Sequence, residues 1–215
     1  MVVIAIDGPA ASGKSTIAKI LASKLGYLYV DSGAMYRALT LEWLRRYGDK
    51  SSDDEAKLLE ILSKFDLNLD ENMREAIRTN QVSNNVSYIA SFKEVRKKLV
   101  EMQQKIAANR SVVMDGRDIG TVVFPDADLK IYMIASPRIR AERRLQDLQI
   151  KGETIELETL ISEIEARDRQ DSERVESPLR KAPEAYEINT DKLSINEVVE
   201  EILILLASLQ IQIKT

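Results

Sequence analysis

Short apolar runs alternate along this chain with longer stretches whose apolar positions recur every three or four residues. Val2–Asp7, Tyr27–Val30, Ser111–Met114, Lys130–Ala135 and Tyr186–Asn189 are the short runs, and they read as strands. Helical spacing appears at Ile17, Ile20, Leu21 and Leu25, and at Met35, Leu39 and then Trp43 or Leu44. It recurs over Asp54–Phe65 (Leu58, Leu59, Leu62), then at Val95, Leu99, Met102 and Ile106 in a helix running to Asn109 and opened by Ser91 or Ser87. Glu153–Asp171 carries Leu157, Leu160, Ile161 and Ile164, and the last helix carries Val198, Val199, Ile202, Leu206 and Leu209 behind a capping box at Ser194 and Glu197. Strand–helix alternation predicts an α/β fold: a mainly parallel sheet with helices on both faces and right-handed crossovers. Residues 66–88 break the pattern, with a weak apolar segment at Ile77–Val82, and are expected to form an irregular insert.

The first strand runs into Gly8-Pro9-Ala10-Ala11-Ser12-Gly13-Lys14-Ser15-Thr16, followed at once by a helix. This G-x-x-x-x-G-K-S spelling, between strand and helix, is the phosphate-binding loop in its required context. Glycines let successive backbone N–H groups turn inward around phosphate oxygens, and the helix start adds its own unpaired N–H groups. Lys14 can reach β- and γ-phosphates, and the Ser15 hydroxyl can ligate Mg²⁺.

Composition narrows the chemistry. The chain of 215 residues is 31% charged and 44% hydrophobic, with a formal charge of −4, and it lacks a dense basic tract suited to nucleic acid. With no cysteine and no histidine, disulfides, thiol catalysis, histidine bases and Cys/His zinc sites are excluded. Carboxylates, Lys, Arg, hydroxyls and a hard metal remain, which is the inventory of phosphoryl transfer. The longest apolar block, Ile202–Ala207, is far below the roughly 20 residues that span a bilayer, and a strand opens the chain where a leader would stand. A cytoplasmic protein without membrane partners is expected, and a monomer, since no association face stands out.

Other candidates sit at strand ends. Asp31, Ser32 and Arg37 follow the second strand, where open α/β sheets bind ligands, and Ser32 can cap the next helix. Asp115 closes the third strand and resembles the second carboxylate of phosphate-loop enzymes, ordering Mg²⁺ through water. Arg117 and Asp118 then emerge on a glycine-flanked loop, either to meet a ligand or to hold a turn. On pattern alone Arg96 is a solvated helix charge. Arg138, Arg140, Arg143 and Arg144 form either a salt-bridged surface or part of a segment closing over polyphosphate. Arg167, Asp171 and Arg174 share one face if their helix continues, as a sugar and phosphate grip or as surface ion pairs.

Four blocks taken together resemble bacterial cytidylate kinases nearly end to end: the phosphate loop, Asp31–Arg37, Asp115–Ala127 and Arg167-Asp168-Arg169-Gln170-Asp171. The third is the most distinctive. The resemblance implies a nucleoside monophosphate kinase fold around a five-stranded parallel sheet, one domain with core 1–35 and 91–215, a mobile monophosphate-binding region at 36–90 and a lid at 148–156. It implies transfer of the γ-phosphoryl of ATP, with Mg²⁺, to CMP or dCMP. Residues 8–16 then hold the ATP phosphates. Ser32 and Arg37 lie near the substrate; Ser87, Arg96 and Asp118 read cytosine, and Arg117 contacts phosphate. Arg167, Asp171 and Arg174 hold sugar and acceptor phosphate, and Arg143 or Arg144 meets ATP. The family insert carries a small antiparallel sheet that Asp66–Ala76 is too short and polar to hold in full.

Rival readings are a phosphate-loop kinase for UMP, AMP or shikimate, a GTP-dependent switch, and an interaction protein with a decayed loop. The guanine-reading N-K-x-D element is missing, the nearest string being Asn189-Thr190-Asp191-Lys192. Lys14 and Ser15 argue against decay.

Overall fold

The computed structural model describes residues 1–48, 50–64, 71–150, 152 and 154–209. In chain order its elements are β1 (Val3–Asp7), α1 (Lys14–Leu25), β2 (Leu28–Asp31), α2 (Ser32–Arg46), α3 (Asp54–Ser63), α4 (Glu71–Ala76), α5 (Asn80–Ile89) and α6 (Lys93–Ala107). They continue with β3 (Val112–Gly116), a π-helical turn (Ile119–Val123), β4 (Leu129–Ile134), α7 (Pro137–Ile150), α8 (Leu157–Glu173), β5 (Tyr186–Asn189) and α9 (Ile195–Ser208). The chain divides into two compact units, Met1–Val30 with Asn109–Thr215, and Asp31–Ala108.

The first unit is built on a five-stranded sheet in the order β2-β3-β1-β4-β5. β1 pairs in parallel with β3 and with β4, placing Ile4 beside Val113 and Leu129, and β4 pairs in parallel with β5. A central strand has no solvent face, so Ile4, Ala5, Ile6 and Asp7 are all buried and the sequence shows a continuous run instead of alternation. α1 and α9 pack onto the sheet through Ile17, Leu21, Val199 and Ile202. The capping box of α9 forms as the sequence predicts: Ser194 Oγ accepts from Glu197 N–H, and the Glu197 carboxylate accepts from Ser194 N–H. Among the described residues no helix is long and apolar enough to cross a membrane.

The second unit is helical, which corrects the irregular insert expected over 66–88. α4 and α5 occupy much of it, and no strand lies among its described residues beyond Asp31 of β2. α5 was masked by its many Asn and Ser residues. Asn80, Gln81 and Asn84 are exposed, while Val82, Val86 and Ile89 are buried at i, i+4 and i+7. Thr79 caps α5, accepting from Val82 N–H. Ser87 therefore belongs to α5, and the following helix opens at Lys93 behind Phe92, not at Ser87 or Ser91. α3 stops at Ser63; Phe65 and positions 66–70 of the expected polar insert lie outside the described residues, and α4 takes the rest of it. The cap of α2 is Asp31, not Ser32: its carboxylate accepts from Ala34 N–H at 2.9 Å.

Met35, Leu39, Trp43, Leu58, Ile61, Ile89 and Leu99 form this unit's core around one carboxylate. Asp54, fully buried, accepts from Trp43 Nε1–H (3.1 Å), Tyr88 O–H (2.8 Å) and both Ser51 N–H (2.9 Å) and Ser51 O–H (2.7 Å). Burial alone would raise its pKa, but these donors outweigh burial and bring it down to about 2. A carboxylate more acidic when folded than unfolded adds stability in full above the unfolded value of 3.8, and that stability is lost as pH falls toward about 2. The expected contribution is about 2 kcal/mol. Asp54→Asn is therefore expected to lower the melting temperature at pH 7 and to flatten its pH dependence between 4 and 2, where acid melts of both proteins check it.

Candidate active site

The phosphate loop crosses the carboxyl end of the sheet, from Asp7 of β1 to Lys14 at the start of α1. Gly8 has no alternative: a Cβ there would stand 2.1 Å from the Met133 carbonyl oxygen. Ala11 (φ 58°) and Gly13 (φ 89°) are left-handed, the backbone cost of curling the loop tightly. Buried Lys14 donates from Nζ to Pro9 O at 2.6 Å and to Ser12 Oγ at 3.2 Å. Burial first, then the positive charge of Arg117, pushes its pKa down to about 7, against the pull of Asp115 and Asp7.

Ser15 O–H donates to Asp115 Oδ2 at 2.7 Å, and Tyr29 O–H to Asp115 Oδ1 at 2.9 Å. A hydroxyl beside an oriented carboxylate is a hard oxygen set. It suits Mg²⁺, which keeps most of its shell as water and phosphate oxygen. No group of three or more acidic side chains that could hold a metal alone occurs among the described residues.

The loop after β3 is tied down from beneath. Asp7 Oδ1 accepts from Ile119 N–H at 2.8 Å and Oδ2 from Gly120 N–H at 2.7 Å. Burial raises the Asp7 pKa to about 6, partly opposed by those two N–H groups. This grip sets the π-helical turn, a rare element, directly after Arg117 and Asp118. Arg117 Nε donates to Asp171 Oδ2 at 2.9 Å, and Arg174 Nη2 lies 4.0 Å from Asp118 Oδ1. Asp171 and Asp118 are both buried. Burial would raise the Asp171 pKa, but Arg117, Arg167 and Arg174 hold it below its ordinary value.

Arg167 and Asp171 lie one turn apart on α8. Arg174 departs from the expected continuous face: it is the C-cap, with extended backbone, and its Nε donates to Ser177 O at 2.6 Å. The helix stops because Leu179 N–H returns to the Asp171 carbonyl.

A cavity of about 570 Å³ extends from Gly13, Lys14 and Thr16 past Arg143 and Arg144 to Thr190 and Val198. Arg143 donates to Thr190 Oγ1 (3.1 Å) and Thr190 O (2.7 Å). The arginine run of α7 is not uniformly a solvated face, because Arg140 is 3% exposed and paired with Asp168.

In the second unit, Ser32 is buried, and Arg37 Nη1 donates to Ser83 Oγ at 3.0 Å. Ser87 follows Ser83 by one turn of α5 and shares its side of the helix. Arg96 corrects the solvated reading of its pattern: it is 4% exposed, donates to Ala90 O and stands 5.3 Å over the Tyr36 ring. Sequence reasoning gave no role to Asp7, Tyr29, Asp168 or Thr190, and it offered Arg140 only as one of the α7 arginine run. Only Asp7 carried a usable signal, a carboxylate ending an apolar run immediately before the glycine loop.

The family model for cytidylate kinase matches residues 4–208. The cytidylate kinase of Bacillus subtilis is 49% identical over 212 residues, covering 93% of this chain and 94% of that protein. The cytidylate kinase of Chlorobaculum tepidum is 48% identical over 210 residues, covering 92% and 89%. Among solved structures, an uncharacterized protein from Eubacterium ventriosum matches with a TM-score of 0.57 at 12% identity, over 97% of this chain and 99% of the other. A gluconokinase from Sinorhizobium meliloti matches with a TM-score of 0.51 at 15% identity, over 97% and 93%. These structural likenesses are likenesses of fold.

Proposed function

The chain belongs to the cytidylate kinase family, and from that membership we propose that it moves the γ-phosphoryl group of ATP onto CMP or dCMP, giving ADP and CDP or dCDP within pyrimidine nucleotide metabolism. The observation that carries the reading is the pairing of two charge sets in one unit: Lys14, Ser15 and Asp115 at the phosphate loop, and Arg117, Asp171 and Arg174 beside it in the same network.

The acceptor phosphate is anionic at neutral pH, so no strong base is needed and the lack of histidine is no obstacle. Catalysis then consists of positioning and of neutralising charge on the transferred group. Residues 8–16 bind the donor phosphates through backbone N–H groups. Lys14 moves its ammonium from Pro9 O to the phosphates, whose negative charge favours the protonated form. Ser15, and Asp115 through water, would hold Mg²⁺, which would neutralise negative charge on the phosphates when bound. Arg117, Arg167 and Arg174 hold the acceptor phosphate, and Asp171 takes the sugar hydroxyls while keeping the guanidiniums in place. Ser32, Arg37, Ser87, Arg96 and Asp118 serve CMP, the last three at its base. Arg143 or Arg144 meets ATP, since both line the cavity beside the phosphate loop. The enzyme is taken to act in the cytoplasm as a monomer, and sedimentation at the mass of one chain checks its oligomeric state.

ADP release from Mg·ATP with CMP, dCMP, UMP, AMP, shikimate or no acceptor tests the function. Turnover is expected with CMP and dCMP and at least about tenfold less with the others, the discrimination that a site hydrogen-bonded to one base edge supplies. Equal turnover with shikimate or AMP, or none with CMP, would overturn the assignment.

A further inference from the structure

Arg140 is the buried member of the α7 arginines, and it bonds to a strand end, the phosphate loop and a carboxylate of α8. Nε donates to Ala135 O at 2.8 Å, at the end of β4. Nη1 donates to Ala10 O at 3.1 Å, inside the phosphate loop. Nη1 and Nη2 together grip the two carboxylate oxygens of Asp168 on α8. A planar fork is what allows one side chain to meet a loop carbonyl and a carboxylate at once, and lysine has no such geometry.

The Ala10 contact has a directional consequence. In a trans peptide the C=O and the following N–H point to opposite sides. Holding Ala10 O on the Arg140 side turns Ala11 N–H away from it, and Ala11 lines the cavity beside Gly13 and Lys14. Ala11 is left-handed, a conformation alanine keeps only where its surroundings hold it. At the other end of the link, Asp168 stands on α8 between Arg167 and Asp171.

We propose that Arg140 is a positioning residue for phosphoryl transfer: it locks the Ala10–Ala11 peptide so that Ala11 N–H faces the donor phosphates, and through Asp168 it ties the phosphate loop to the helix bearing Arg167 and Asp171. This rests on the kinase reading above but not on which acceptor is used. The test therefore reads ADP, which engages the loop without any acceptor.

Arg140→Lys, Asp168→Asn and the double variant are compared with the wild type by calorimetric titration of Mg·ADP, steady-state kinetics and thermal melting. Arg140→Lys is expected to weaken ADP binding about tenfold or more and to lower kcat about a hundredfold, the scale of one misplaced backbone donor. Asp168→Asn should act in the same direction with a smaller effect, and the double variant should be no worse than Arg140→Lys, because the two form one unit. ADP affinity within twofold of wild type in a folded variant, or effects that multiply in the double variant, would overturn the proposal. If Arg140→Lys does not fold, Asp168→Asn decides by the same ADP criterion. Failure of CMP as acceptor with intact ADP effects would instead sink the function and leave this link standing.

Discussion

Lys14→Met is expected to lower kcat with CMP by about a thousandfold or more while the protein stays folded. Methionine nearly matches lysine in length and is readily buried, so the 4% exposed position tolerates it sterically. The change removes the charge, and with it the two hydrogen bonds to Pro9 O and Ser12 Oγ. In the resting loop that loss is modest, because a lysine pushed down to about pKa 7 already sits poorly as an ammonium. On the transferred phosphoryl the same charge acts in a dry site against developing negative charge, where a single donor carries its largest effect. ADP release at saturating Mg·ATP and CMP, with a melt on the same sample, measures both sides. Near-normal turnover would remove Lys14 from the chemistry and with it the assignment of the loop.

Asp171→Ala is expected to raise KM for CMP and dCMP by about tenfold to a hundredfold and to destabilise the fold by about 3–5 kcal/mol. Asp171 is buried, bonded to Arg117 Nε, and its charge is stabilised by Arg117, Arg167 and Arg174 together. Truncation removes the carboxylate whose charge those three guanidiniums share. Arg117 loses the contact that sets its direction, and the sugar loses its acceptor. Asp171→Asn keeps the volume and one acceptor oxygen but not the charge, so it separates the two contributions: a smaller rise in KM with a similar loss of stability marks the charge as structural. Initial-rate kinetics for both acceptors, with urea melts, provide the readout. An unchanged KM for both acceptors would place Asp171 outside the site.

The functional loop was legible because each of its parts is local. G-x-x-x-x-G-K-S, its preceding strand and its following helix are all spelled within the first 25 residues. The sheet was legible for a related reason, since central strands buried on both faces must be short apolar runs. Two kinds of statement were not legible. Helix α5 hid behind a polar composition, because three buried positions among Asn and Ser are a weak periodic signal. The arginine helix α7 looked uniform, yet one of its arginines is buried in a carboxylate's grip and another is held by Thr190.

What the sequence determines by itself is the strand–loop–helix grammar, the phosphate-binding chemistry and the exclusion of thiol and imidazole mechanisms. Backbone propensity, side-chain periodicity and residue inventory act over a few residues and need no partner. Tertiary structure alone decides which charged groups are neutralised and which are aimed at a ligand. Asp7 meets Gly120 across 113 positions, Ser15 meets Asp115 across 100, and Arg140 meets Asp168 across 28. A buried charge must find its partner in space, and the spacing along the chain carries no record of that pairing.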